Sequence, residues 1–295
     1  MGRIAFVFSG QGDQFPGMGK ELYEQYPAAR EVFDLCSQVR PDLKELCFAG
    51  SAEQLKETVN TQPALFAMEV AAAQTLEAKG VKADAVAGFS LGEVAAAAFA
   101  GLFDIKTGFS LVSRRGALMQ ADAEKVETAM AAVVKLDQAT VEKLCAEHTQ
   151  LYPVNFNCPG QITVSGLASE MPAFTAAVKA AGGRAIPLKV KGAFHSPFMQ
   201  EASEAFREDL KAAEMTQPRM DLYSDATARV YDGDPVELLA SQIVRPVRWE
   251  ELIRQMIEAG VDTFVEIGPG KTLTNMIAKI DPSVKAVTYA ELLED

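Results

Sequence analysis

The residues Gly88-Phe89-Ser90-Leu91-Gly92 carry the spacing of a serine nucleophile held on a sharp strand-to-helix turn. The glycines on either side remove the side chains that such a turn would force into its neighbours. The turn also points a helix N-terminus, with its unpaired N–H groups, at the serine. Five letters alone also describe an ordinary turn with serine as helix cap. The context favours chemistry, because an apolar run precedes Ser90 and an alanine-rich stretch follows it. A serine needs a base, and the chain has two histidines, His148 and His195. His148 sits at a polar helix end, where an imidazolium complements the helix dipole. His195, in Gly192-Ala193-Phe194-His195-Ser196-Pro197, can be read as a buried core histidine or as the base. Its place at a junction of two domains, where clefts form, favours the base.

Other glycine clusters are weaker signals. Gly10-Gln11-Gly12-Asp13-Gln14 follows the first strand but has Phe15 where a dinucleotide fingerprint needs glycine. Gln11 between two glycines can instead offer its backbone N–H to a site. Gly268-Pro269-Gly270-Lys271-Thr272 lacks the P-loop spacing, because Val265 stands in place of the first glycine. In Arg114-Arg115-Gly116 a buried arginine could grip a carboxylate with two parallel hydrogen bonds. Read alone, however, the pair fits a solvated surface better.

The elements that must position these residues alternate. Strands are expected at 4–8, 83–87, 222–224, 261–267 and 286–289. Helices are expected at 20–39, 62–79, 91–100, 104–122, 196–213, 235–242, 249–259 and 272–280, with a capping box at Ser51-x-x-Gln54. This order implies an α/β fold with a mostly parallel sheet covered on both faces. From about residue 125 the texture changes. Strands at 130–136, 152–157, 162–165 and 185–190 alternate with helices at 140–148 and 169–181. That is the split βαβ order, so residues 125–191 read as a small insert in a large domain made of 1–124 and 192–295.

The chain has 295 residues, 48% of them apolar and 23% charged, which is enough to bury a large core. Its net charge of −12 argues against nucleic-acid binding. No apolar run is long enough to span a membrane, and the start reads as a strand rather than a signal peptide. Cys36, Cys47, Cys145 and Cys158 show neither C-x-x-C pairing nor zinc spacing, so reduced thiols in the cytoplasm and no metal are expected.

Six motifs occur in one order: Gly10-Gln11-Gly12-x-Gln14, Gly88-Phe89-Ser90-Leu91-Gly92-Glu93, Arg115-Gly116-x-x-Met119-Gln120, Asn157-x-Pro159-Gly160-Gln161, Gly192-Ala193-Phe194-His195-Ser196 and Glu266-Ile267-Gly268-Pro269-Gly270. Together they resemble the malonyl-CoA:acyl carrier protein transacylases of bacterial fatty-acid synthesis, over essentially the whole chain. The resemblance implies an α/β-hydrolase-like large domain with a ferredoxin-like insert. It implies Ser90 as nucleophile, His195 as base, and the backbone N–H groups of Gln11 and Leu91 as oxyanion hole. It implies Arg115 as a clamp on the malonyl carboxylate, reversing the local reading. It also places Met119, Asn157 and Gln161 at the substrate. In related polyketide-synthase acyltransferases a Phe at the place of Phe194 goes with malonyl and a smaller residue with methylmalonyl. The implied partners are malonyl-CoA and acyl carrier protein, for a monomer with coenzyme A thioester as substrate and no tightly bound cofactor.

The chain departs from this pattern at three points. Phe89 stands where many members have His, Ser9 where Pro is common, and Arg248 where some have Gln. The family orients its histidine with a backbone carbonyl at about the place of Arg248, and the sequence offers no acidic third member. Carrier proteins are acidic, so an acidic enzyme must meet them with a local basic patch. Arg184, Lys189 and Lys191 are candidates, with Lys271. Three alternatives remain at this level: a trans-acting acyltransferase of a polyketide synthase, an acyl-thioester hydrolase, and a catalytically dead interaction module. Intact Ser90 and His195 argue against the last.

Overall fold

Two sheets carry the molecule, as seen in a computed structural model that describes residues 2–190 and 192–294. The strands are β1 (Arg3–Phe8), β2 (Ala85–Gly88), β3 (Thr128–Val134), β4 (Leu151–Cys158), β5 (Gln161–Leu167), β6 (Arg184–Pro187), β7 (Asp221–Ser224), β8 (Arg229–Val230), β9 (Val261–Ile267) and β10 (Lys285–Thr288). The larger sheet has the order β10-β9-β1-β2-β7-β8, parallel throughout except for β8. In β1 the two-residue period of a strand sends Phe6 and Phe8 to one face, and Ala5 and Val7 to the other. Phe6 and Phe8 pack on Phe99 and on the long helix Thr58–Ala78 side of the core. Ala5 and Val7 face the cluster of Trp249, Ile253 and Phe264. Both faces are thus buried, which is why these strands read as unbroken apolar runs.

The smaller sheet is antiparallel with order β4-β5-β3-β6. Helices Gln138–Ala146 and Met171–Ala180 share a core with it through Val141, Phe174 and Val178. This is the split βαβ arrangement, and the whole is the α/β fold with a mostly parallel sheet that the residue pattern implies.

Local differences from the sequence pattern have physical causes. The expected helix over 20–39 is two helices, Lys20–Gln25 and Pro27–Val39, because Pro27 holds Tyr26 in extended backbone (φ −117°, ψ 122°). The helix expected from 62 begins at Thr58, with Pro63 inside it. Pro63 cannot donate to the carbonyl of Val59, and Arg40 Nη1 fills that gap at 3.1 Å. Strand β6 stops at Pro187 rather than 190. The stretch 196–213 opens as a 3₁₀ turn, Pro197–Met199, before the helix Gln200–Lys211. Helices Leu43–Ala49 and Tyr289–Glu294 and the two-residue β8 lacked a sequence signal of useful length.

The fold brings three turns to one edge. Phe8, Gly88 and Ile267 lie in register at the carboxyl ends of β1, β2 and β9. The chain then runs into Gly10-Gln11-Gly12, Ser90 and Gly268-Pro269-Gly270 respectively. In open α/β sheets this carboxyl edge is where ligands bind. Helix Leu91–Phe99 is pressed against β1 there. A Cβ on Gly92 would lie 2.4 Å from the carbonyl oxygens of both Phe8 and Ser9. We predict that Gly92→Ala destabilises the fold by about 1–3 kcal/mol through overpacking. A denaturant midpoint equal to that of the parent chain would contradict this.

Candidate active site

Ser90 sits between β2 and helix Leu91–Phe99 with φ 56° and ψ −110°, a strained backbone for a residue with a Cβ. Gly88 permits the turn, since a Cβ there would lie 1.9 Å from the Gly92 carbonyl carbon. His195 also has a positive φ, 59°. The structure brings the two together: Ser90 Oγ and His195 Nε2 are 2.7 Å apart. His195 Nδ1 faces the carbonyl oxygens of Gln242 at 3.0 Å and Arg245 at 3.2 Å. Both are acceptors, so Nδ1 carries the proton and Nε2 presents its lone pair to Ser90. The orienting carbonyls therefore belong to Gln242 and Arg245, not to a residue at about Arg248 as expected. The turn that ends helix Pro235–Gln242 brings both carbonyls to one point. No carboxylate touches the ring among the described residues.

His195 is buried, and burial together with the Arg115 charge lowers its pKa to about 4. Its imidazole is thus neutral at physiological pH, as a base must be.

Arg115 has no exposed surface, so the surface-pair reading is overturned. Its neighbour Arg114 is the solvated one, paired with Asp209 at 3.0 Å. The α-helical period separates them: Ile105–Ala123 turns Arg115 inward with Val112 and Met119. Arg115 donates to Gln62 Oε1 at 2.9 Å and Gln242 Oε1 at 2.7 Å, and lies 3.3 Å from Ser90 Oγ. Its Nε has no partner among the described residues. Burial pulls its pKa down to about 10, so it stays a cation at neutral pH.

Two adjoining cavities meet at this point. The inner one, about 90 Å³, is lined by Ser90, His195, Leu91, Gln11, Met119 and Phe194 among others. The outer one, about 190 Å³, includes Asn157, Gln161, Leu273 and Met276. Gln11, Phe89, Asn155 and Leu188 line both. Met119 accepts a hydrogen bond on sulfur from Gln62 Nε2 at 3.4 Å. Asn157 and Gln161 lie in the outer cavity and do not line the one that holds Ser90. Phe89 packs against Trp249 with ring centres 5.5 Å apart. Neither Gln11 nor Leu91 donates its backbone N–H to another described group. The Ser90 N–H, by contrast, is taken by Asp225 Oδ2 at 2.6 Å.

Several buried polar residues escaped the sequence reading. Gln62, Glu93, Asp225 and Gln242, with the half-buried Asn155, stand around the pair. Glu93 follows the nucleophile motif by one residue, and Asn155 shares a strand face with Asn157, so these two had a signal. Gln242 had none. On the surface, Arg184 and Lys189 are exposed. Lys191 lies outside the described residues. Lys271 is exposed, 3.9 Å from Glu291. His148 lies two residues past the end of helix Gln138–Ala146, 3.8 Å from Glu170, and not in this cluster.

The family described as "Acyl transferase domain" matches residues 5–293. The malonyl CoA-acyl carrier protein transacylase of Bacillus subtilis (strain 168) is 39% identical, over 99% of this chain and 94% of that protein. The crystal structure of the malonyl CoA-acyl carrier protein transacylase from Clostridium perfringens ATCC 13124 superposes with TM-score 0.95 at 33% identity, covering 99% and 96% of the two chains. A malonyl-transacylase solved in complex with its type II polyketide-synthase acyl-carrier protein superposes with TM-score 0.93 at 34% identity, covering 97% and 95%. On these matches and this geometry, the chain belongs to the acyl transferase family of the malonyl CoA-acyl carrier protein transacylases.

Proposed function

We propose that this enzyme transfers malonyl from malonyl-CoA to the pantetheine thiol of an acyl carrier protein, through an ester on Ser90, in fatty-acid synthesis. The observation that carries the reading is a buried arginine cation 3.3 Å from the Ser90 oxygen that His195 also holds. A buried guanidinium that reaches Ser90 Oγ favours an acyl group with its own carboxylate, which it can meet with charge-assisted hydrogen bonds. The full-length likeness to malonyl transacylases supports the same substrate.

The geometry supports the following steps. His195 Nε2 takes the Ser90 proton as Oγ attacks the thioester carbonyl. The oxyanion is stabilised by the N–H groups of Leu91 and Gln11, which have no acceptor among the described residues, and not by that of Ser90, which Asp225 occupies. The imidazolium returns its proton to the departing coenzyme A thiolate. The carrier's thiol then attacks malonyl-Ser90 with His195 again as base, so the kinetics are ping-pong. Coenzyme A is a substrate here and not a resident cofactor. Phe194 fills the chamber wall where an α-methyl group would sit, and Met119 completes it. Asn157 and Gln161 in the outer cavity take the pantetheine arm. Exposed Arg184 and Lys189, with Lys271, are the basic residues offered to the acidic carrier. The four free cysteines fit a cytoplasmic enzyme.

Malonyl-CoA alone should add one malonyl mass to the chain, on the peptide that holds Ser90. Mass spectrometry reads this directly. No adduct, or an undiminished adduct in Ser90→Ala, would sink the mechanism. A second destination has its own support in the related complex with a polyketide carrier. Chasing the labelled enzyme with fatty-acid and polyketide carriers compares the two: faster unloading by the polyketide carrier would reassign the acceptor and leave the chemistry intact.

A further inference from the structure

Behind Ser90 lies a buried polar web in which Glu93 and Asp225 have no part in the acyl-transfer steps. Both ends of the Ser90 peptide unit are tied to it. The Ser90 N–H donates to Asp225 Oδ2 at 2.6 Å, and the Ser90 carbonyl accepts from Gln242 Nε2 at 2.8 Å. Gln242 Nε2 also reaches Glu93 Oε2 at 3.1 Å, while Gln242 Oε1 accepts from Arg115. Glu93 accepts further from the Asp225 backbone N–H at 2.8 Å and from the Tyr231 hydroxyl. Glu93, Asp225, Gln242 and Arg115 are all fully buried.

The donors in this web are unevenly shared. Glu93 collects three of them, the set an ionised carboxylate needs, and Arg115 supplies the balancing charge through the Gln242 amide. Asp225 Oδ1 has no donor among the described residues. Two adjacent buried carboxyls cannot both ionise without severe repulsion. A proton on Asp225 Oδ1, given to Glu93, removes both the orphaned oxygen and the repulsion.

We infer that Asp225 is a positioning residue that works as a neutral acid, donating its carboxyl proton to Glu93 while its other oxygen holds the Ser90 N–H and so fixes the strained turn of the nucleophile. Burial and the neighbouring Glu93 both push the Asp225 carboxyl well above the usual range, in line with that state. The arrangement has a chemical reason. An ionised Asp225 beside Ser90 would oppose the oxyanion that forms there, whereas a neutral carboxyl keeps the same hydrogen bond without the charge. The inference rests on Ser90 as the acylated residue, which the mass adduct tests separately.

The side chain of asparagine reproduces the neutral acid atom for atom, an acceptor toward Ser90 and a donor toward Glu93. The test compares Asp225→Asn and Asp225→Ala in malonyl transfer by the whole enzyme. Asp225→Ala should lower kcat about 100-fold, the effect of a nucleophile misplaced by about 1 Å. KM for malonyl-CoA should stay within about two-fold, because no substrate contact is lost. Asp225→Asn should recover most of that kcat. Infrared difference spectra of wild type against Asp225→Asn at neutral pH should show one protonated-carboxyl carbonyl stretch that the variant lacks. This reading needs no active enzyme and decides the question even where Asp225→Ala does not fold. The inference is overturned if Asp225→Asn is as slow as Asp225→Ala, if Asp225→Ala keeps the wild-type kcat, or if the band is absent from wild type.

Discussion

Replacing His195 by Ala should lower malonyl transfer on the order of 10⁴-fold, the scale of a lost general base that works with a serine nucleophile. The loss should fall on both half-reactions, since the same nitrogen takes the Ser90 proton and later the carrier thiol proton. The pH profile of the parent enzyme carries the sharper test. Burial and then Arg115 hold the His195 pKa at about 4, against 6.5 for a free imidazole. A base is competent only when neutral, so kcat/KM for malonyl-CoA should rise with pH through about 4 and be flat above it. At pH 5.5 such a histidine is roughly 97% neutral, whereas an unperturbed one would be roughly one-tenth neutral. Stopped-time assays between pH 4 and 7 separate the two curves. An acid limb centred near 6.5 would show that the ring is solvated in the working enzyme.

Arg115→Ala should split the substrates. Malonyl transfer loses a buried charge pair, which is worth about 3–5 kcal/mol, or about 10²- to 10⁴-fold in kcat/KM. Acetyl has no carboxylate for Arg115 to hold, so its transfer should be spared or improved. Equal loss for both acyl groups would remove the clamp. A second signature comes with it. Arg115 is one of the two causes that depress His195, so its removal should move the acid limb upward, toward the ordinary imidazole value. Loss of activity through simple misfolding would not produce a displaced acid limb in the surviving acetyl activity.

Sequence pattern carried the fold where apolar runs and turn residues agree. β1, β2 and β9 are unbroken apolar strands closed by glycine turns, and the structure places all three turns at one edge. It failed where tertiary contacts decide. Nothing in the letters 58–61 marks a helix, but Arg40 fills the gap that Pro63 leaves in its ladder. The site divides the same way. Ser90 and His195 stood out because glycine spacing and the scarcity of histidine are visible in one dimension. Arg115 did not, because two adjacent arginines look alike until the helix turns one of them inward. Gln242 is the clearest omission. It supplies a carbonyl to His195, an acceptor to Arg115 and a donor to Ser90, from a position with no local motif. Only the folded chain puts those three demands on one residue. The carbonyl that orients His195 was expected a few residues too late for the same reason, since it is set by where a helix ends.

The seam between the two sheets bears on how the chamber measures its guest. Val247 accepts a bond from the Phe156 N–H at 2.8 Å and donates one to the Val154 carbonyl at 2.8 Å. Strand β4 is therefore laced to the same segment whose carbonyls, at Gln242 and Arg245, aim His195. The wall that carries Asn155 and the His195 imidazole share one frame. Swinging the insert outward to admit a bulkier acyl group would unlace Val247 and drag the base off line. A group too wide for the gap is then refused twice, once by contact and once by the loss of a competent base.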